Sequence, residues 1–276
     1  MVTPRIETAH YVSMMSRTAW STSLLASVVF LAAASAGFSK QLVSGETEVA
    51  VEIIAGDTLV LETGQQVRLV GLQAPKLPLG RTNFESWPLA SDVAEALREL
   101  TKGKKLTLEY GGRRMDRHGR ILAHLFDESQ LWIQDAMLRR GMTRVYSFAD
   151  NRSLVDEMLA IESEARAAKR GILAHPYYQI RDHKETHRYT ESFQLVEGRV
   201  HAVASVREWT YVNFEEDWRH DFTISVRRQN LKGFLSAGLD PATLEGRWIR
   251  VRGWVWWFNG PMIESTHLEQ VEVLDQ

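Results

Sequence analysis

Between Trp248 and Trp256 the side chains alternate in two classes, with Ile249, Val251, Gly253 and Val255 in one register and Trp248, Arg250, Arg252, Trp254 and Trp256 in the other. Successive side chains of a strand point to opposite faces, so the second face interleaves indoles with guanidinium groups. Such a surface can stack nucleobases and neutralise phosphates, as single-strand-binding barrels do. It equally suits packing against another domain, with arginine stems laid over the rings, and the sequence leaves both readings open. Arg250, Arg252, Trp254 and Trp256 are the candidates this strand offers. Charge is concentrated elsewhere: from Arg98 to Arg152 there are twelve Lys/Arg against seven Asp/Glu, although the 276-residue chain has a formal net charge of −2. Phosphate binding needs one basic face and not a basic protein. Arg113 and Arg114 are nucleic-acid-binding candidates within that stretch, whose plain alternative is a solvated surface. The chain has no cysteine, which excludes disulfides, thiolate metal sites and a cysteine nucleophile. His175 and His183 lack metal-ligand spacing.

The elements that would position these residues can be read in order. Arg17, the apolar run Trp20 to Leu31 and Ala34-Ser35-Ala36 form a basic, hydrophobic and small-residue series, as in an export signal over residues 1–36. This predicts a periplasmic or secreted protein, or one anchored to the inner membrane if the segment is retained. From Glu48 the texture is short strands and turns: 48–54, 58–61, 66–72, 104–110 and 121–126, with helices expected over 91–100, 131–141 and 153–169. Ser153 and Asp156 have capping-box spacing, and Gly171 stops the last helix. Strands followed by closing helices suit a small OB-type barrel, mainly β with helices (an α+β arrangement). Its limits are set at 46–173. Residues 174–190 read as a linker, and 191–276, rich in Val, Ile, Trp and Phe with turns at Gly198, Gly246 and Asn259-Gly260-Pro261, read as a second small β-barrel.

Five short signatures occur in sequence: Gly56-Asp57-Thr58; Val67 to Lys76, which reads VRLVGLQAPK; Asp116-Arg117-His118-Gly119-Arg120; Leu138-Arg139-Arg140-Gly141; and Ala168-Lys169-Arg170-Gly171-Ile172. None is specific alone, but in this order over about 120 residues they resemble staphylococcal-nuclease-like (thermonuclease) domains. The resemblance implies a five-stranded OB-type barrel with three helices, and hydrolysis of nucleic-acid phosphodiesters by a metal-assisted water, usually with Ca2+. It further implies that Arg68 and Arg120 clamp the phosphate, where a planar fork offers bidentate bonds that lysine cannot copy. Asp57 then stands at the principal metal carboxylate, with the Ala74 backbone carbonyl beside it. The second barrel loosely resembles OB-type nucleic-acid-binding modules.

The departure from the pattern falls on the chemistry. The family motif ends Asp-(Thr or Ala)-Pro-Glu, whereas this chain has Gln73-Ala74-Pro75-Lys76. Gln73 keeps an oxygen at the second metal-ligand position but loses a charge, which lowers affinity for a hard cation. Lys76, at the base position, is an ammonium at neutral pH. His118 sits at a position often aromatic in the family and is expected to pack. Tyr146, with Phe148, lines the pocket as a stacking wall or joins the core. Two functions compete: an exported metal-dependent endonuclease, and a weakened module that binds nucleic acid, single strands favoured, or another polyanion, or serves as an envelope scaffold.

Overall fold

The computed structural model describes residues 42–217 and 219–274; the export segment expected over 1–36 lies outside them. No described helix is long and apolar enough to cross a membrane. The first half contains β1 (Val43–Ala55), β2 (Thr58–Leu61), β3 (Gln66–Leu69), β4 (Leu72–Gln73), α1 (Ala90–Thr101), β5 (Lys105–Tyr110), β6 (Ile121–Asp127), α2 (Ile133–Arg139), β7 (Arg144–Val145) and α3 (Val155–Ala167). Five of these strands close a barrel in the order β1-β2-β3-β6-β5, with β3 and β6 parallel and the other pairs antiparallel. The strand expected over 66–72 is split. Gly71 takes a positive φ of 79°, and β4 leaves the barrel to pair with β7, Gln73 opposite Arg144. That departure brings the altered motif beside the chain that carries Tyr146.

The helices close the barrel with the faces their spacing dictates. Val93, Ala94, Leu97 and Leu100 of α1 are buried against Leu59, Leu69 and Leu106, and Met137, Leu138, Met158 and Ile161 extend the same core. Ser153 does not cap α3. Leu154 occupies the N-cap position, and the Ser153 hydroxyl donates instead to the Gly111 carbonyl at 2.8 Å.

The stretch read as a linker is packed. Tyr178 is buried in the first core, and β8 (Arg181–Asp182) pairs with β9 (Ser192–Arg199). Then follow β10 (Ala202–Val206), β11 (Trp209–Asn213), β12 (Thr223–Arg227), α4 (Arg228–Ser236), β13 (Trp248–Trp257), β14 (Pro261–Ser265) and β15 (Val271–Val273). They form a second curled sheet, ordered β10-β11-β12-β14-β13-β9-β8, with β15 also on β13. Ile249, Val251 and Val255 of β13 enter its core with Phe222, Ile224, Phe234 and Ile263, as the period-two pattern requires.

The other face of β13 meets the first core. Arg252 is 4% exposed; one guanidinium nitrogen donates to Glu162 of α3 at 2.7 Å and the other to Glu272 at 2.6 Å. Glu162 also accepts from Arg166 at 2.7 Å and from the Val145 amide at 2.9 Å. Burial by itself would raise the Glu162 carboxyl, but Arg252 and Arg166 outweigh it and push it down to about 2. Arg250 is held by Glu197 and Glu272. Both arginines expected on a nucleic-acid-binding face are therefore taken up by carboxylates. A buried guanidinium is retained only where it is paired and hydrogen-bonded, and α3 supplies that partner. Around this seam Ser147 and His267 share a hydrogen bond of 2.7 Å, Arg152 pairs with Glu269, and the Tyr146 and Phe193 rings lie 4.7 Å apart.

Candidate functional site

Asp57 occupies the turn between β1 and β2 and is almost fully buried. Gly56 makes this burial possible, since a Cβ there would stand 2.3 Å from Val93 Cγ1 and 3.0 Å from Ala74 Cβ. The carboxylate accepts from the Thr58 hydroxyl at 3.0 Å and from the Ala74 amide at 3.4 Å. Two cations flank it: Arg68 Nη1 and Lys76 Nζ lie 3.5 Å and 3.6 Å from the same Oδ2. Burial would raise the Asp57 carboxyl, yet Arg68, Lys76 and these two donors hold it below the ordinary carboxylate range. Burial lowers the Lys76 ammonium below its usual value, Arg68 and Arg120 press the same way, and Asp57 opposes them.

Arg120 reaches the same place from the turn before β6. Asp116 accepts from its Nε at 2.7 Å and from its Nη2 at 2.6 Å, and also from the backbone amides of His118 and Arg120. Gly119, at φ 78°, supplies the left-handed residue that lets this turn close on one carboxylate. In the sequence Asp116 stands out only as the first residue of the Asp116-Arg117-His118-Gly119-Arg120 motif. Its four-residue separation from Arg120 across a glycine turn is the signal that would have given it a role as the group that orients the arginine.

These side chains open on a cleft of about 590 Å³ whose walls include Arg68, Gln73, Lys76, Arg113, Asp116, Arg120, Tyr146, Phe148, Trp254 and Trp256, within the roughly 300–1,000 Å³ of ligand pockets. The second sheet thus contributes two tryptophans to a site built mainly by the first half. The structure brings Arg68, Gln73, Lys76, Arg113, Arg120, Tyr146, Trp254 and Trp256 together, with Asp57 beneath them. It leaves Arg250 and Arg252 in the seam. Arg114 lies over the Tyr110 ring, 4.3 Å from its centroid, and does not line the cleft. His118 is exposed on the cleft wall instead of packed.

Residues 66–175 match the family model described as staphylococcal nuclease homologue. Residues 66–175 form a staphylococcal nuclease homologue domain. The chain is 30% identical over 138 residues to Endonuclease YncB of Bacillus subtilis (strain 168), covering 48% of this chain and 63% of that protein. It is likewise 30% identical over 138 residues to the SPbeta prophage-derived endonuclease YokF of the same strain, covering 45% of that protein. A thermonuclease of Staphylococcus hyicus is 22% identical over 141 residues, half of this chain and 80% of that one. The chain thus spans less than two thirds of the length of the first two relatives. The matched regions cover about half of this chain or less; the family model ends at residue 175, before the second sheet begins.

The thermonuclease-like family is generally Ca2+-dependent, and the residues present here do not fit that ion. Calcium takes six to eight oxygen ligands, anionic ones among them. Here Asp57, at the assigned metal position, is already shared by Arg68 and Lys76, and Asp116 on the cleft wall is taken up by Arg120. The Gln73 amide is turned onto the Ala74 carbonyl, donating to it at 3.0 Å. No group of three or more His, Cys, Asp or Glu is placed to hold a metal among the described residues. What the arrangement offers is a fixed triad of cations, Arg68, Lys76 and Arg120, each oriented by a carboxylate.

Proposed function

We propose that this protein is a nuclease-fold module that binds nucleic acid through its phosphates without a divalent metal, and that its hydrolytic chemistry is weakened. The position of Lys76 carries this reading. Its ammonium stands 3.6 Å from Asp57, the carboxylate that resemblance assigns to the metal, so the cation that faces a phosphate is a side chain. Arg68 and Arg120 supply the directional hydrogen bonds, and guanidinium contacts to phosphate are strong because they are charge-assisted and bidentate. General acid–base assistance contributes about 10²–10⁴-fold to such reactions. The glutamate that would provide it is Lys76 here, which supports slow hydrolysis. Names of the related endonucleases support nucleic acid as the ligand. The amino-terminal pattern supports export, with the site facing the periplasm or the medium.

Anisotropy titration of the full chain with a labelled single-stranded oligonucleotide tests this, at two ionic strengths and with calcium or chelator. Binding is expected to weaken as salt rises, through counterion release, and to be the same in calcium and chelator. Arg120→Ala should weaken it at least about 10-fold, one charge-assisted bond being worth about 1.5–3 kcal/mol. Absence of binding, indifference to salt, or a requirement for calcium overturns the proposal. So does rapid calcium-dependent cleavage that Arg120→Ala abolishes.

A further inference from the structure

The cations of the cleft account for a phosphate and leave its aromatic side without a role. Trp254 and Trp256 come from the second sheet, outside the region matched to the nuclease family. They follow one another on the same face of β13, ring centroids 6.0 Å apart and tilted by 46°, and both line the cleft that holds Arg68, Lys76 and Arg120. Trp256 is half exposed. An exposed indole beside a cationic cluster is the pairing that single-strand binders use, a stacking platform next to a phosphate track. Both are held in the ladder of the sheet: Trp254 pairs in register with Phe193 of β9 and Trp256 with Met262 of β14. Arg252, two residues before Trp254, is fixed on α3 through Glu162.

We propose that Trp254 and Trp256 form a base-binding subsite, so that the cleft takes single-stranded nucleic acid with one phosphate on the cations and a neighbouring base against the indoles. This rests on the phosphate-binding reading above and adds the substrate class to it. Bases of a duplex are already stacked on both faces, so the subsite selects unpaired strands. Trp248 provides an internal control: it lies on the same strand and is comparably exposed, but it is not on the cleft.

Three probes of equal length separate the two layers: an oligothymidylate, an abasic oligomer with the same phosphates, and a duplex. The parent should bind the oligothymidylate more tightly than the other two. Trp256→Ala and Trp254→Leu should each weaken oligothymidylate binding about 10-fold, one stacked base being worth about 5- to 150-fold (about 1–3 kcal/mol). Abasic binding should stay the same, Trp256→Phe should recover most of the loss, and Trp248→Ala should match the parent. If the parent binds none of the probes, the phosphate reading falls. If it binds oligothymidylate and abasic oligomer equally, or if folded Trp254 and Trp256 variants bind as the parent does, the subsite falls while the phosphate reading stands. Equal loss on both probes, with an unchanged melting profile, also overturns the subsite.

Discussion

Replacing Glu162 by glutamine tests how the two sheets are held in one piece. The substitution keeps the shape and leaves an amide oxygen to accept from the Val145 amide. It removes the charge that faces Arg252 and Arg166, each at 2.7 Å. Breaking a buried ion pair by removing one partner costs about 3–5 kcal/mol, because the remaining charge is left uncompensated. Arg252 retains Glu272 at 2.6 Å, which places the expected loss near the lower end, about 3 kcal/mol. The depressed carboxyl gives a comparable figure: a fall from 4.5 to about 2 corresponds to about 3 kcal/mol at 1.36 kcal/mol per unit. In a chain of this size 1 kcal/mol moves Tm by about 2–4 °C, so Glu162→Gln should melt about 6–12 °C below the parent at pH 7. Glu164→Gln, two residues along α3 and exposed with a 3.6 Å contact to Arg139, should stay within about 2 °C, as surface changes do. The reading is refuted if Glu162→Gln melts within about 2 °C of the parent in calorimetry. Acid titration gives a second check. The folded carboxyl lies below its unfolded value, so its contribution is fully present above about 4.5 and is lost as pH falls towards about 2. The variant's Tm should therefore vary less with pH over that interval than the parent's.

Other outcomes follow from single contacts. Gln73→Asp with Lys76→Glu should raise calcium-dependent cleavage about 10²-fold or more by restoring a base and a second carboxylate beside Asp57, with each single change giving less than its share; no gain in the folded double variant at saturating calcium would mean the loop roles are misassigned. Gly56→Ala should lower stability by about 1–3 kcal/mol through overpacking, since its Cβ meets Val93 at 2.3 Å, whereas Gly233→Ala in α4, with nothing within 4 Å, should raise it by about 0.5–1 kcal/mol; denaturant midpoints compare the two. Burial pushes His267 down to about 4, so the unfolded chain takes up the proton first as pH falls below about 6.5, and a non-titrating His267→Gln should flatten the pH dependence of Tm between about 6.5 and 4.

What the sequence disclosed depends on how local each cause is. The barrel strands and its three helices follow from two periods, and Val93, Ala94, Leu97 and Leu100 fall on the buried face because spacing alone sets that face. Glycine gives Asp57 its place within one turn, so the Gly56-Asp57-Thr58 turn was legible. The split of the 66–72 strand was not. It depends on β4 finding β7 some seventy residues later, a partner no local pattern names. The sequence left the β13 arginines between two readings for the same reason, since their carboxylates lie on α3, β9 and β15. A signal existed: Glu162 shares its helical face with Val155, Met158 and Ala165, all buried, and a carboxylate on an apolar stripe requires a buried cation.

The alternating face of β13 divides along the strand, with Arg252 packed against α3 and Trp254 and Trp256 lining the cleft. A strand rises about 3.3 Å per residue, so Arg252 and Trp254 stand about 6–7 Å apart on one face. At the first position that face is covered by α3, and a guanidinium survives there only with Glu162 opposite. At the second it passes the edge of the seam and comes out at the cleft, where Trp254 and Trp256 face Arg68, Lys76 and Arg120. The ion pair lies on the same face of β13, two residues before the first of these tryptophans. Arg252→Met, which fills the seam with an apolar side chain but leaves Glu162 paired with Arg166, separates stability from alignment. Removing one partner of a buried pair costs about 3–5 kcal/mol, and because Glu162 keeps Arg166 and the Val145 amide the expected outcome is a loss of Tm comparable to that of Glu162→Gln together with weaker oligothymidylate binding and unchanged abasic binding. Unchanged binding on both probes would mean that packing of Phe193 and Tyr146, and not the buried charge, aligns the two halves of the cleft.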